Sequence, residues 1–225
     1  CPLCDSPTGR HIYQVGAIPI FQNKAYASQE EALAAVTGEV DLVQCNRCGF
    51  VYNNYFDPQL MQYDDNYQNE QAHSGQFRAH LQQVAGLLDD ASLLQGWIVE
   101  IGCGKAFFLQ LLWDRGCEAL GVDPAYEGDD PRIIKSYFTA DLELDADLIV
   151  LRHTLEHIPT PLDFLQQIAA ANKYRGTIYI EVPCFTWIRQ KKAFWDVFFE
   201  HCNYFTQETL GAMFRSAQSG RVFAG

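Results

Sequence analysis

The chain has 225 residues, 48% of them hydrophobic and 13% aromatic, and a formal net charge of −12. That length accommodates one good core plus a small accessory module, and the composition is that of a globular protein rather than a disordered one. The charge argues against nucleic acid as a partner, because a phosphate backbone calls for a basic surface, and no run of about 18 uncharged apolar residues is present to span a membrane.

No signal peptide is evident, and a chain opening on Cys1 is expected to have lost upstream residues. Four of the eight cysteines form two C-x-x-C pairs, Cys1/Cys4 and Cys45/Cys48, and the others are scattered through apolar contexts. Each C-x-x-C turn points two thiolates at one spot, and two turns complete a tetrahedron around a structural zinc ion with no open coordination position. Two disulfides or redox dithiols are the competing reading. A disulfide framework more often belongs to a small secreted chain, so a reducing cytoplasm is the expected compartment. The loop between the pairs is long enough to carry its own strands, and Glu30–Val36 has helical composition.

Phe50–Tyr52 continues as a strand, and 53–58 is turn-rich. Residues 61–80 form an aromatic, amide-rich stretch in which Tyr63, Tyr67 and His73 either cover a ligand pocket or belong to an ordinary linker. Phe77, Leu81, Val84 and Leu88 recur at helical spacing and predict an amphipathic helix.

From Trp97 onward, short apolar runs alternate with helical segments, which predicts a parallel α/β sheet. Ile98–Ile101 reads as a strand buried on both faces, and Gly102 and Gly104 as a tight turn open to close approach by a ligand. A dinucleotide fingerprint wants a third glycine where Phe107 stands, and a P-loop wants Gly-Lys-Ser/Thr; neither is present. The helix Ala106–Arg115 is expected to bury Phe107, Phe108, Leu111 and Leu112. A second strand ends at Asp123, the following helix is cut down by Gly128–Pro131, and a third strand precedes Tyr137–Thr139. Asp147–Leu151 is strand four, Pro161–Asn172 a helix and Thr177–Val182 strand five. Trp187–Phe199 suits a lid or a helix over a substrate. Thr206 is an expected N-cap, and only Arg221–Ala224 remains for another strand, so the domain is expected to be incomplete at its C-terminus.

The acid-bearing strand end E-x-G-x-G (Glu100, Gly102, Gly104), followed by Gly-Val-Asp at Asp123, resembles the S-adenosylmethionine (SAM) site of Rossmann-like methyltransferases. A carboxylate accepting two charge-assisted hydrogen bonds suits two vicinal ribose hydroxyls. Taken in series, the C-x-x-C pairs, the tyrosine-rich linker, VEIGCGKAFFL, GVDP, RHTLEHIPTP and FEHCNYFT resemble the zinc-containing SAM-dependent C-methyltransferases of deoxysugar biosynthesis.

That resemblance implies a Rossmann-like class I SAM methyltransferase sheet with a small N-terminal zinc-ribbon domain. The boundaries it suggests are 1–56 for the zinc-binding domain, 57–96 for a linker and covering helix, and 97–225 for the SAM domain. Glu100, Gly102, Cys103, Gly104 and Asp123 would hold SAM, with Phe138 near the base and His153 near the methionine end. Glu200 and His201 match the family's catalytic E-H, His201 as general base, and Tyr67 or Tyr63 matches its linker tyrosine. Phe198 stands where some relatives carry a catalytic tyrosine, and His157 reads as a helix-start or structural residue. The implied reaction is methylation of carbon in a keto-deoxysugar nucleotide or related small molecule after deprotonation. O- or N-methylation of a natural product, and a non-catalytic interaction module, remain as alternatives.

Overall fold

The computed structural model describes residues 1–61 and 73–216. In chain order its elements are β1 (Gly9–Pro19), α1 (Gln29–Leu33), β2 (Thr37–Cys45), β3 (Val51–Asn53), α2 (Gly75–Asp90), β4 (Ile98–Ile101), α3 (Phe107–Asp114), β5 (Ala119–Val122) and β6 (Ile133–Ile134). They continue with β7 (Leu148–Arg152), α4 (Pro161–Ala171), β8 (Thr177–Glu181), α5 (Phe185–Lys191), β9 (Asn203–Tyr204) and α6 (Gln207–Ser216). The chain divides into two compact units, one made of Cys1–Gln68, Leu155–Leu165 and Val182–Gly225, the other of Asn69–Thr154 and Gln166–Glu181.

The first unit is built on an antiparallel sheet in the order β1-β2-β3-β9. β1 is interrupted by register shifts between His11 and Tyr13 and between Val15 and Ile18. Short β9 pairs with β3 through Val51↔Tyr204 and Tyr52↔Asn203. One side of this unit buries Phe21, Val40, Leu42, Val51, Phe199 and Tyr204. Gly38 is glycine because of that packing: a Cβ there would lie 2.5 Å from the Phe199 ring. The stretch Trp187–Phe199, expected as a lid or a helix, is not one continuous helix. α5 stops where Lys192 turns left-handed at φ +53, and only a single 3-10 turn, Phe194–Asp196, follows. Thr206 does cap α6, its Oγ1 accepting the Thr209 N–H at 3.2 Å. The expected strand Arg221–Ala224 lies outside the described residues.

The second unit carries a parallel sheet in the order β6-β5-β4-β7-β8. The chain runs outward from β4 to β6, then returns to the other side of β4, which makes the doubly wound, Rossmann-like arrangement with its switch point between β4 and β7. β4 is buried throughout, as its unbroken apolar run requires. Between β5 and β6 no helix forms, because Gly128 and Pro131 interrupt the connection. α2 turns Leu81, Val84, Ala85 and Leu88 inward, as its periodicity predicts. α3 departs from expectation: it buries Phe108, Leu109 and Leu112, whereas Phe107 is 46% exposed and Leu111 only half-buried. The helix starts after Ala106, held at φ +65, and that entry rotates Phe107 away from the core.

Among the described residues no helix is long and apolar enough to cross a membrane.

Candidate functional site

The glycine turn follows β4 in the second unit. Gly102 has φ +79, and a Cβ there would stand 2.2 Å from the Thr154 Oγ1. That hydroxyl lies 3.2 Å from the Ile101 carbonyl and 3.1 Å from the Arg152 carbonyl, so it ties the ends of β4 and β7 together through the space a side chain at position 102 would need. Asp123, just past β5, accepts the Gly104 N–H on Oδ2 at 2.7 Å and the Ala125 N–H on Oδ1 at 2.8 Å. The acid assigned to a ribose therefore also closes the turn, and each oxygen keeps a second lone pair for a hydroxyl donor.

Glu100 is 2% exposed, and its Oε2 has no hydrogen-bond partner among the described residues. Burial pushes its carboxyl up to about 8; the Arg152 charge opposes that, while Asp123 and Glu181 add to it. The Cys103 thiol is likewise pushed up by burial, then by Glu100 and Asp123, which leaves it an inert packing group rather than a nucleophile. His153 sits directly after β7 in the left-handed region, φ +50, a conformation a non-glycine residue seldom adopts. Phe138 lies half-buried beyond β6.

Beside these is a charged cluster around Glu181, in which sequence reasoning singles out His153 for the site but neither Glu181 nor His80. Glu181, at the end of β8, accepts the Arg152 Nε at 2.8 Å, forms a hydrogen bond with His80 of α2 and lies 3.4 Å from the His153 Nε2. Burial would raise the Glu181 carboxyl, but the hydrogen bond from His153, the charge of Arg152 and the hydrogen bond from His80 hold it well below the usual range. The only available signal was the polar ends of two otherwise apolar strands.

In the first unit the two C-x-x-C turns converge. Cys1 and Cys48 are 3.6 Å apart at sulfur, as are Cys4 and Cys45, and all four sulfurs lie within 4.8 Å of one another. No disulfide links them. Thiolates around zinc at about 2.3 Å stand roughly 3.8 Å apart, so this set fits a tetrahedral ion. Against burial, the Cys48 and Arg47 backbone N–H groups draw the Cys45 thiol down to about 7, whereas burial pushes the neighbouring Cys48 thiol up to about 12.

Glu200 and His201 are both buried, immediately before β9. The Glu200 Oε2 accepts the Gln22 N–H at 2.8 Å. The His201 Nδ1 is 3.3 Å from the Asp196 carbonyl, and the His157 Nδ1 is 3.0 Å from the Glu200 carbonyl. A carbonyl only accepts, so each imidazole carries a proton on Nδ1. The two rings are 4.9 Å apart, edge to face, and Phe198 lies 3.9 Å from the His201 ring. Donor atoms of Glu156, His157 and His201 fall within 4.8 Å of one another. His157, read from sequence as a helix-start or structural residue, lies beside His201, and Glu156 lies with them. Tyr63 and Tyr67 lie outside the described residues.

Comparison with known proteins follows the same lines. The family described as "Methyltransferase domain" matches residues 69–218. The C-methyltransferase NovU of Streptomyces niveus is 24% identical over 232 residues, an alignment covering 96% of this chain and 54% of that protein; the chain spans about half the length of the curated relative it matches. The plantazolicin methyltransferase BpumL, solved with a pentazolic desmethylPZN analog and SAH, superposes with a TM-score of 0.51 at 14% identity, over 64% of this chain and 65% of that one. A SAM-dependent methyltransferase from Archaeoglobus fulgidus gives 0.49 at 24% identity, over 65% and 72%. The BpumL likeness bears on the fold alone.

Proposed function

The chain belongs to the methyltransferase-domain family, and we propose on that premise that it transfers a methyl group from SAM to carbon of a keto-deoxysugar nucleotide or a related small molecule. The observation that carries this reading is the turn at the ends of β4 and β5. Gly102 and Gly104, both at positive φ, with Asp123 closing the loop and Glu100 buried nearby, form the cradle. Glu100, Gly102, Cys103, Gly104, Asp123, Phe138 and His153 would hold SAM there. Bound SAM supplies an activated methyl on sulfonium; the protein's own groups deprotonate, orient and exclude water.

Carbon methylation requires removal of a proton α to a ketone. His201 suits that transfer through Nε2, because the Asp196 carbonyl holds the opposite nitrogen protonated. Glu200 places its backbone carbonyl on His157 and its carboxylate on the Gln22 N–H, so it orders the surroundings of both imidazoles. The 24% likeness to a C-methyltransferase and the E-H pair favour carbon as the acceptor. In this proposal Cys1, Cys4, Cys45 and Cys48 hold a structural zinc. Residues 1–56 form the zinc-binding domain, 57–96 contribute Tyr63 or Tyr67, and 97–225 form the SAM domain.

Calorimetric titration with SAM, followed by mass spectrometry of products from a panel of keto-sugar nucleotides, tests the reading. Micromolar SAM binding with a product heavier by one methyl on carbon is expected. Absence of SAM binding would sink the reading, and a methyl found on oxygen or nitrogen would sink its C-methyl part.

A further inference from the structure

Away from the four cysteines, the first unit gathers three more side chains of metal-ligating type. Glu156 and His157 lie in the 3-10 turn Leu155–His157, and His201 lies just before β9. One donor atom of each, a carboxylate oxygen and two ring nitrogens, falls within 4.8 Å of the other two. Nitrogen and oxygen ligands at about 2.0–2.2 Å from a tetrahedral zinc ion stand roughly 3.4 Å apart, so side-chain rotations that move these atoms by about 1 Å close the set around a cation.

The surroundings are those of a built ligand set. The His157 Nδ1 donates to the Glu200 carbonyl at 3.0 Å, and the His201 Nδ1 to the Asp196 carbonyl at 3.3 Å. Metal-ligating histidines donate their other ring N–H in this way, which fixes the ring and makes Nε2 the coordinating atom. An arriving cation displaces any proton held there. The two segments are also tied to each other. The Cys202 thiol donates to the Glu156 carbonyl at 3.3 Å, and the Asn203 Nδ2 to the Ile158 carbonyl at 2.6 Å. Phe198 and Tyr204 flank the His201 ring at 3.9 and 6.2 Å. Glu156 is 1% exposed, and a cation placed on a carboxylate so far out of water offsets the cost of its burial. His157 is only half-buried, which leaves the site a path from solvent.

We propose that Glu156, His157 and His201 form a second metal site, a two-histidine, one-carboxylate set for a divalent first-row cation such as Zn2+. It differs in kind from the cysteine site. Four thiolates close a zinc shell, whereas three nitrogen and oxygen ligands leave a position for water. Two imidazoles among three ligands favour zinc and its neighbours over magnesium or calcium, which take oxygen. Occupation draws the His201 ring into coordination and out of proton transfer, so the cation inhibits methyl transfer. That consequence rests on the reading of His201 as the base; the site itself does not.

The experiment is equilibrium dialysis against about 10 µM Zn2+, a level that fills a micromolar site, followed by elemental analysis. The wild type is expected to hold one zinc per chain more than Glu156→Gln or His157→Gln, whatever the cysteines hold. X-ray absorption of the dialysed wild type should show nitrogen and oxygen neighbours at about 2.0–2.2 Å beside sulfur at about 2.3 Å. Equal zinc in the wild type and both variants overturns the site. A wild-type zinc shell of sulfur alone overturns it as well, and that result stands even where the variants fail to fold. Turnover should fall about tenfold at this zinc level, as ten times a micromolar Kd requires, and recover on dialysis into zinc-free buffer. Zinc that loads the site without slowing turnover upholds the site and removes His201 from the role of base.

Discussion

Replacing Gly102 by alanine tests the cradle at its tightest point. The new Cβ would meet the Thr154 Oγ1 at 2.2 Å and its Cγ2 at 3.0 Å, so the threonine must leave its rotamer. Leaving breaks its link between the Ile101 and Arg152 carbonyls, a loss of about 1 kcal/mol. Holding alanine at φ +79 adds roughly 1–2 kcal/mol. The sum is about 2–3 kcal/mol, or roughly 4–12 °C in apparent Tm for a chain of this size. Urea unfolding of Gly102→Ala, Thr154→Ala and the double variant measures it. Because Thr154→Ala removes both clashing atoms, the double variant should cost at least about 1 kcal/mol less than the sum of the singles. Strict additivity, or a Gly102→Ala protein within about 0.5 kcal/mol of wild type, would refute the close packing described.

Four further outcomes are expected. Elemental analysis of purified protein should find about one zinc per chain, with chelation or Cys45→Ser lowering both zinc content and Tm; a folded, metal-free protein would refute the site. His201→Asn should lower kcat by about 10²–10⁴ with SAM affinity intact, and unchanged turnover would remove His201 from catalysis. Glu100 titrates at about 8 when folded against 4.5 as an ordinary carboxyl, so the folded state binds the proton more tightly. That stability is full below about pH 4.5 and is lost as pH rises through 8, a swing of up to about 5 kcal/mol. Denaturant titrations across that window should show the decline, and Glu100→Gln should flatten it. Gly38→Ala should cost about 1–3 kcal/mol by overpacking the Phe199 ring, with Phe199→Leu restoring part of the loss in the double variant.

Much of the site was legible because it is local. The spacing of Cys1, Cys4, Cys45 and Cys48, the glycines at 102 and 104 and the acid at 123 each encode backbone geometry within a few residues, and the structure brings the cysteines together as that spacing implies. Helical periodicity located α2, whereas the aromatic and basic composition of Trp187–Phe199 leaves a lid or a helix open, and a left-handed Lys192 ends the helix within that stretch. Periodicity also placed Phe107 in the core, where a left-handed Ala106 turns the first residue of α3 outward instead.

What the sequence by itself determined is the alternation of buried strands and helices, the glycine turn and the cysteine pairs. Each of these follows from steric and hydrophobic rules acting over short separations. Only the tertiary structure decided which distant polar groups meet. Pairing between β7 and β8 brings Arg152 onto Glu181, α2 adds His80, and a 3-10 turn at Leu155–His157 sets His157 beside His201. No spacing rule links those positions. Their contacts arise from strand order and register, and from the need of each buried charge to find a partner once water is gone.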